Sequence, residues 1–134
     1  MDFTQKLLKL DAAKLAERET KEIRSKRLEL LFGEEDVSIT IQALNSKELK
    51  QVNEYSTDKN GDLVARKLFD TNFMVCSFGI KEPNVKDEEL QKHFGATNAR
   101  ELCEKLFDAE CAKIANEIMT LSGVRDDAED EVKN

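Results

Sequence analysis

The stretch Leu63–Ile80, LVARKLFDTNFMVCSFGI, restricts the fold more than any other part of this chain. It begins amphipathic and turns almost wholly apolar after Asn72, where Phe73, Met74, Val75, Cys76, Phe78 and Ile80 crowd together. A surface helix keeps one wet face, whereas a helix apolar most of the way round is buried. The second half of this stretch is therefore expected to be the central core helix, with the other elements packed about it. Lys81, Glu82 and Pro83 close it, because the residue before a proline is pushed out of helical geometry.

Downstream, Asp87 is placed to cap a short helix, EELQKHF, stopped by Gly95. Thr97 or Asn98 opens the next helix, in which Ala99, Leu102, Cys103, Leu106 and Phe107 keep helical spacing. Asp108 interrupts the pattern and is positioned to cap a last helix, where Cys111, Ile114, Ala115, Ile118 and Leu121 repeat it. Gly123 ends that helix, with Val124 folding back on Met119 in a Schellman stop.

Upstream, Val37, Ile39 and Ile41 alternate with Ser38, Thr40 and Gln42, which predicts a strand with one buried face. The preceding run, KEIRSKRLELLFG, has two readings: Ile23 to Arg27 pairs as a second strand, or Arg27 to Phe32 forms a helical turn closed by Gly33. Gly33 to Asp36 is the turn in both. A lone hairpin is marginal in water, so this one must lie on the helices. Asn45 caps a helix with Glu48 reaching back, Leu44 and Leu49 take the staple positions, and Leu49, Val52 and Tyr55 line the inner face. STDKNGD reads as a polar helix-to-helix connection. At the N-terminus, Asp2 and Gln5 resemble a capping box, predicting a helix from about Phe3 to Ala16. Its apolar stripe (Leu8, Ala12 and Leu15, with Leu7 beside them) is narrow, so the helix docks loosely or waits for a partner.

The expected fold is mainly α with a small β-hairpin (α+β). It is a compact helical domain over residues 1–124, built around the central helix, with short antiparallel strands within about 20–44. Residues 125–134 read as a disordered acidic tail, since Asp126, Asp127, Glu129, Asp130 and Glu131 crowd together there.

Charge then narrows the function. The net charge is −7, and repulsion from phosphate argues against nucleic acid and anionic membrane as partners. No apolar run approaches the roughly 20 residues of a membrane span, and the charged N-terminus has no signal-peptide core. The 3 cysteines form no CxxC pair, so they are expected to be reduced in a cytosolic compartment. A nucleophile pair of His93 with Cys76, Cys103 or Cys111 requires a thiolate beside the imidazole. Cys103 and Cys111 instead lie on apolar stripes, where a thiol is a small inert hydrophobe. Zinc ligands at close spacing are missing, as are a Gly-rich phosphate loop and HExxH. Acid pairs such as Glu34–Glu35 and Glu88–Glu89 read as solvated faces, and Lys26–Arg27 as solvated charge on a β-edge. No catalytic, metal or cofactor residue is assigned, and an enzyme is not expected. A binding module remains.

The order of features from Asp62 to Asn134 is similar to that of one family. A helix runs into Cys76-Ser77-Phe78 and then Pro83; DEELQKHFGATNARELCEKLF follows; a helix from near Glu110 ends in Leu121-Ser122-Gly123; an acid-rich tail closes with Val132-Lys133-Asn134. Upstream, SITIQALNSKEL with the Lys26-Arg27-Leu28 entry fits the same pattern, so the likeness runs from about Thr20 onward. The chain resembles the tail assembly chaperones of tailed phages and prophages of Gram-positive bacteria. The resemblance implies a non-enzymatic protein of the host cytoplasm, absent from the mature virion. It would bind the tape-measure protein, keep it soluble and help tail-tube subunits assemble around it, with room for weak self-association. In many relatives a longer product arises by ribosomal frameshifting.

The family supplies no contact residues. The physical candidates for client binding are Leu7, Leu8 and Leu15 or the hairpin edge, with Asp126, Asp127, Glu129, Asp130 and Glu131 tuning release. Two competing readings are an acidic inhibitor or nucleic-acid mimic in a basic groove, and a structural tail subunit. The first needs a continuous negative face, whereas here 21 Lys and Arg are mixed among the acids.

Overall fold

The computed structural model describes residues 2–124. Its elements run α1 (Phe3–Leu8), β1 (Thr20–Arg24), α2 (Lys26–Phe32), β2 (Ser38–Gln42), α3 (Ser46–Ser56), α4 (Leu68–Gly79), β3 (Ile80–Glu82), α5 (Glu88–His93), α6 (Ala99–Phe107) and α7 (Cys111–Leu121). It is a mainly α protein with a small antiparallel sheet in the order β1-β2-β3.

α4 is the central element. Met74, Val75, Cys76, Ser77 and Gly79 are buried on it, and it packs against α3, α6 and α7. Burial nearly all round its second half is what the apolar run after Asn72 predicts. The helix begins later than Leu63: Ala65–Lys67 form a 3-10 turn, and Leu68 and Phe69 stay exposed.

α4 and α7 meet closely at Gly79. A Cβ built on Gly79 would sit 2.5 Å from Ile118 Cδ1 and 2.6 Å from its Cγ2, and Ile118 is 0% exposed. Only a hydrogen at position 79 lets the two helices meet this closely.

The strand-or-helix ambiguity at 20–33 resolves into both. β1 pairs antiparallel with β2 in a register that sets Ile23 opposite Ile39 and Thr20 opposite Gln42. α2 is inserted between them. Its N-cap is Ser25, whose Oγ accepts from Leu28 N at 3.1 Å, and it ends at Gly33 in the left-handed region (φ 69°). Ile39 and Ile41 face the core, where β2 meets α7. Lys26 and Arg27 are therefore not β-edge charges. They open α2, and Arg27 Nε donates to Leu106 O at 3.2 Å. Glu110 completes the join: its carboxylate accepts from Ser25 Oγ (2.6 Å) and from Arg27 N (3.1 Å), an anion at a helix N-terminus.

The capping box at Asn45 and Glu48 forms in both directions, and Leu44 is buried beside it. The Schellman stop is also present: Val124 N donates to Met119 O and Gly123 N to Thr120 O.

Three other expectations need correction. The N-terminal helix does not reach Ala16. α1 stops at Leu8, and Asp11, accepting from Ala13 N at 3.0 Å, starts a separate 3-10 turn, Ala12–Ala16. A short helix that packs on nothing is marginal, and an internal Asp readily caps a new start. Asp108 does not cap α7. It takes φ 52° and opens a 3-10 turn, and the residue before α7 is Glu110, whose side chain serves α2 instead. The residues after the core helix are not simply a stop: Ile80–Glu82 pair with β2 as a third strand. The acidic tail lies outside the described residues.

Two measurements check this account. Gly79→Ala gains helix propensity of up to about 1 kcal/mol but overpacks the α4–α7 contact, a cost of about 1–3 kcal/mol. Net destabilisation in urea is expected, smaller when Ile118→Val is added. Separately, Arg24 donates a side-chain hydrogen bond to Glu29, and Val37 N donates to the same carboxylate; together they hold it below the usual carboxylate range. A lowered folded value means stability that is present above the unfolded pKa of about 4 and lost as pH falls through the folded value. Glu29→Gln should flatten the acid limb of a stability–pH curve and leave its slope near neutral pH unchanged.

Candidate partner-binding surface

The sequence places the candidate contacts at the N-terminus, and residues 2–17 prove to be exposed throughout. Leu7 is 63%, Leu8 81% and Leu15 82% exposed, with Phe3 and Leu10 also open to water. This arm joins the body at Arg18, whose guanidinium meets Glu48 at 2.8 Å. The described part of the chain does not bring the arm together with the acidic candidates, because Asp126, Asp127, Glu129, Asp130 and Glu131 lie outside it.

A second surface was missed by sequence reasoning. Between α3 and α4 runs a groove of about 580 Å³ lined mainly by apolar side chains, among them Leu49, Val52, Leu63, Leu68, Val75 and Met119, with Val124 also on its wall. Leu63 is 81% and Leu68 60% exposed. Their signal is visible in the sequence, but the apolar half that follows draws both into the expected core helix, whereas Leu63 lies before α4 and Leu68 opens it with its side chain exposed. Thr71 also lines the groove, and its Oγ1 is buried with no protein partner. A third apolar surface is the tip of α2, where Leu30, Leu31 and Phe32 are exposed. A volume of this size falls in the range of real binding sites, roughly 300–1,000 Å³.

The residues weighed for chemistry are kept apart. His93 is exposed and meets Phe94 edge-on at 4.8 Å. Cys76, Cys103 and Cys111 are all free and buried. Cys76 Sγ donates to Cys111 O and Cys111 Sγ to Cys103 O, at 3.5 and 3.4 Å. The hydrogen bond to Cys111 together with burial pushes the Cys76 thiol well up, and burial pushes Cys103 up. Both therefore remain thiols at neutral pH, and a thiol is a poor nucleophile beside a thiolate. Among the described residues no group of three His, Cys, Asp or Glu side chains is placed to hold a metal ion. No helix among them is long and apolar enough to cross a membrane.

Several acids are also spent on the fold. Glu29, Glu48, Glu101 and Glu110 each bind a cation, a hydroxyl or a backbone N–H of this chain.

A family model described as phage XkdN-like tail assembly chaperone protein matches residues 4–134. The chain belongs to this family. The match takes in the arm from Thr4, upstream of the Thr20 start of the sequence resemblance. It identifies a phage tail assembly chaperone, which is not an enzyme class, and it implies phage tail proteins as partners. No curated protein and no solved structure shows a match.

Maleimide labelling checks the thiol assignment. In the native chaperone all three cysteines should react slowly, and in denaturant they should react at once. Rapid native labelling of Cys103 would mean that its helix face is open.

Proposed function

We propose that this chaperone binds the tape-measure protein, keeps it soluble and promotes assembly of tail-tube subunits around it. It acts in the host cytoplasm and leaves before the virion is complete. A tape-measure protein is a long helical polymer with apolar stripes, and its solubility depends on covering those stripes reversibly. The observation that supports the reading is the pairing of unfilled apolar surface, on the arm and in the α3–α4 groove, with a chain of which 37% of the residues are charged.

Helix-in-groove recognition places an amphipathic client helix in an apolar channel through a few spaced anchors. Modest affinity per site follows, because association and side-chain ordering offset much of the gain from burial. Leu7, Leu8 and Leu15 add client contacts from the arm. The acidic residues Asp126, Asp127, Glu129, Asp130 and Glu131 tune release through attraction to basic client segments that salt screens.

Co-expression with the large helical protein encoded beside it tests the proposal. The neighbour should be insoluble alone and soluble with this chain, and Leu63→Asp with Leu68→Asp should lower the soluble fraction severalfold. A neighbour soluble by itself and indifferent to this chain contradicts the proposal.

A further inference from the structure

β1 has a free edge, and we infer that it pairs with β1 of a second copy, joining the two sheets into one across a twofold axis. Neither the arm nor the groove takes part, so the pairing stands apart from the client-binding reading and is tested without any client.

The ladder with β2 shows which backbone groups are spare. Ala43 N donates to Glu19 O at 2.9 Å, and Ser25 N donates to Val37 O at 2.8 Å. In the same register Lys21 faces Ile41 and Ile23 faces Ile39. Hydrogen-bonded and open pairs alternate along an antiparallel ladder, so these odd residues turn their N–H and C=O to β2. Thr20, Glu22 and Arg24 turn theirs the other way. In the order β1-β2-β3 no strand meets them there among the described residues. Side chains alternate too. Lys21 reaches Glu117 of α7 at 3.1 Å and Ile23 packs on the core, which leaves Glu22 and Arg24 on the outer face.

The opposite edge of the sheet is blunted. β3 has three residues, its register with β2 shifts between Thr40 and Ile41, and Pro83 follows at once. Short strands, bulges and prolines are common protections of an edge. β1 has none of them: it has five residues, an unbroken register and neither proline nor glycine.

Charge selects the occupant. The even residues carry the outward groups, so even must face even. With the axis on Ile23, Glu22 of each copy lies opposite Arg24 of the other. Arg24 gives its Nε to Glu29 and keeps its terminal nitrogens for that carboxylate. Ile23 meets Ile23 on the axis, in an open pair where side chains stand closer. An axis on Glu22 or on Lys21 sets like charge against like charge, which destabilises a cross-strand pair. Each copy offers one unprotected edge, so the pairing closes at two copies. The −7 on each chain opposes it and keeps it weak. The dimer presents two arms and two grooves, and on the client-binding reading a long client is then held at two points.

Light scattering coupled to size exclusion, on the full 15.3 kDa chain over a range of concentrations, tests the pairing. The mass should rise toward twice that value. Glu22→Pro deletes an outward N–H and no bond to β2, and proline is tolerated where an edge N–H faces water. It should give monomer with unchanged circular dichroism. Glu22→Arg sets like charges opposite in both pairs and should raise the dissociation constant by about tenfold. Adding Arg24→Glu exchanges the two charges and should restore the dimer. If loss of the Arg24–Glu29 bond disturbs that double variant, Glu22→Pro decides alone. A chain monomeric at every concentration, a dimer indifferent to Glu22→Pro, or open polymers would each overturn the proposal. So would a folded double variant that associates as weakly as Glu22→Arg.

Discussion

The contact between Gly79 and Ile118 is the constraint on which the rest of the structure depends. It draws the C-terminal end of α4 so close to α7 that the Ile118 side chain leaves no room for a side chain at position 79. Because α4 runs straight into β3, the same contact fixes where Ile80 enters the sheet. β2 is then held from two sides, by β3 in the sheet and by α7 across the core. The buried residues of α6 and α7 complete a core with no site of its own.

Polar contacts that cross the chain reinforce this frame. Glu110, at the entry to α7, ties down the N-terminus of α2 through Ser25 and Arg27. Ser122, at the exit of α7, accepts from Leu44 N just before α3. The helix deepest in sequence thus holds both ends of the first sheet segment. The arm before Arg18 and the groove beside α3 lie outside that frame, which is why apolar residues there can remain exposed without loss of the fold.

Much of this was legible in the residues because local signals and burial agreed. The apolar run after Asn72, the alternation of Val37, Ile39 and Ile41, the Asn45–Glu48 box and the spacing in 99–121 each point one way and fold that way. The misses have a common origin in contacts between distant parts of the chain. Ile80–Glu82 become a strand because β2 offers an edge, and nothing in three residues announces that. Asp108 looks like a cap, but the geometry of the α6–α7 turn puts it at positive φ. Asp11 breaks the N-terminal helix because no body packs against that helix to hold it together. The groove was illegible for a related reason: Leu49, Leu63 and Met119 are scattered over 70 residues and meet only through the packing of α3, α4 and α7.

The core is scaffold, and the arm and groove are the proposed working surfaces. Hydrogen–deuterium exchange of the full chain, alone and with the tape-measure protein proposed as its client, tests that division most directly. Protection should appear over residues 3–16 and 49–68 on binding, with exchange in the buried halves of α4 and α7 unchanged. Protection confined to other surfaces, or none in either region with the client demonstrably bound, would contradict it.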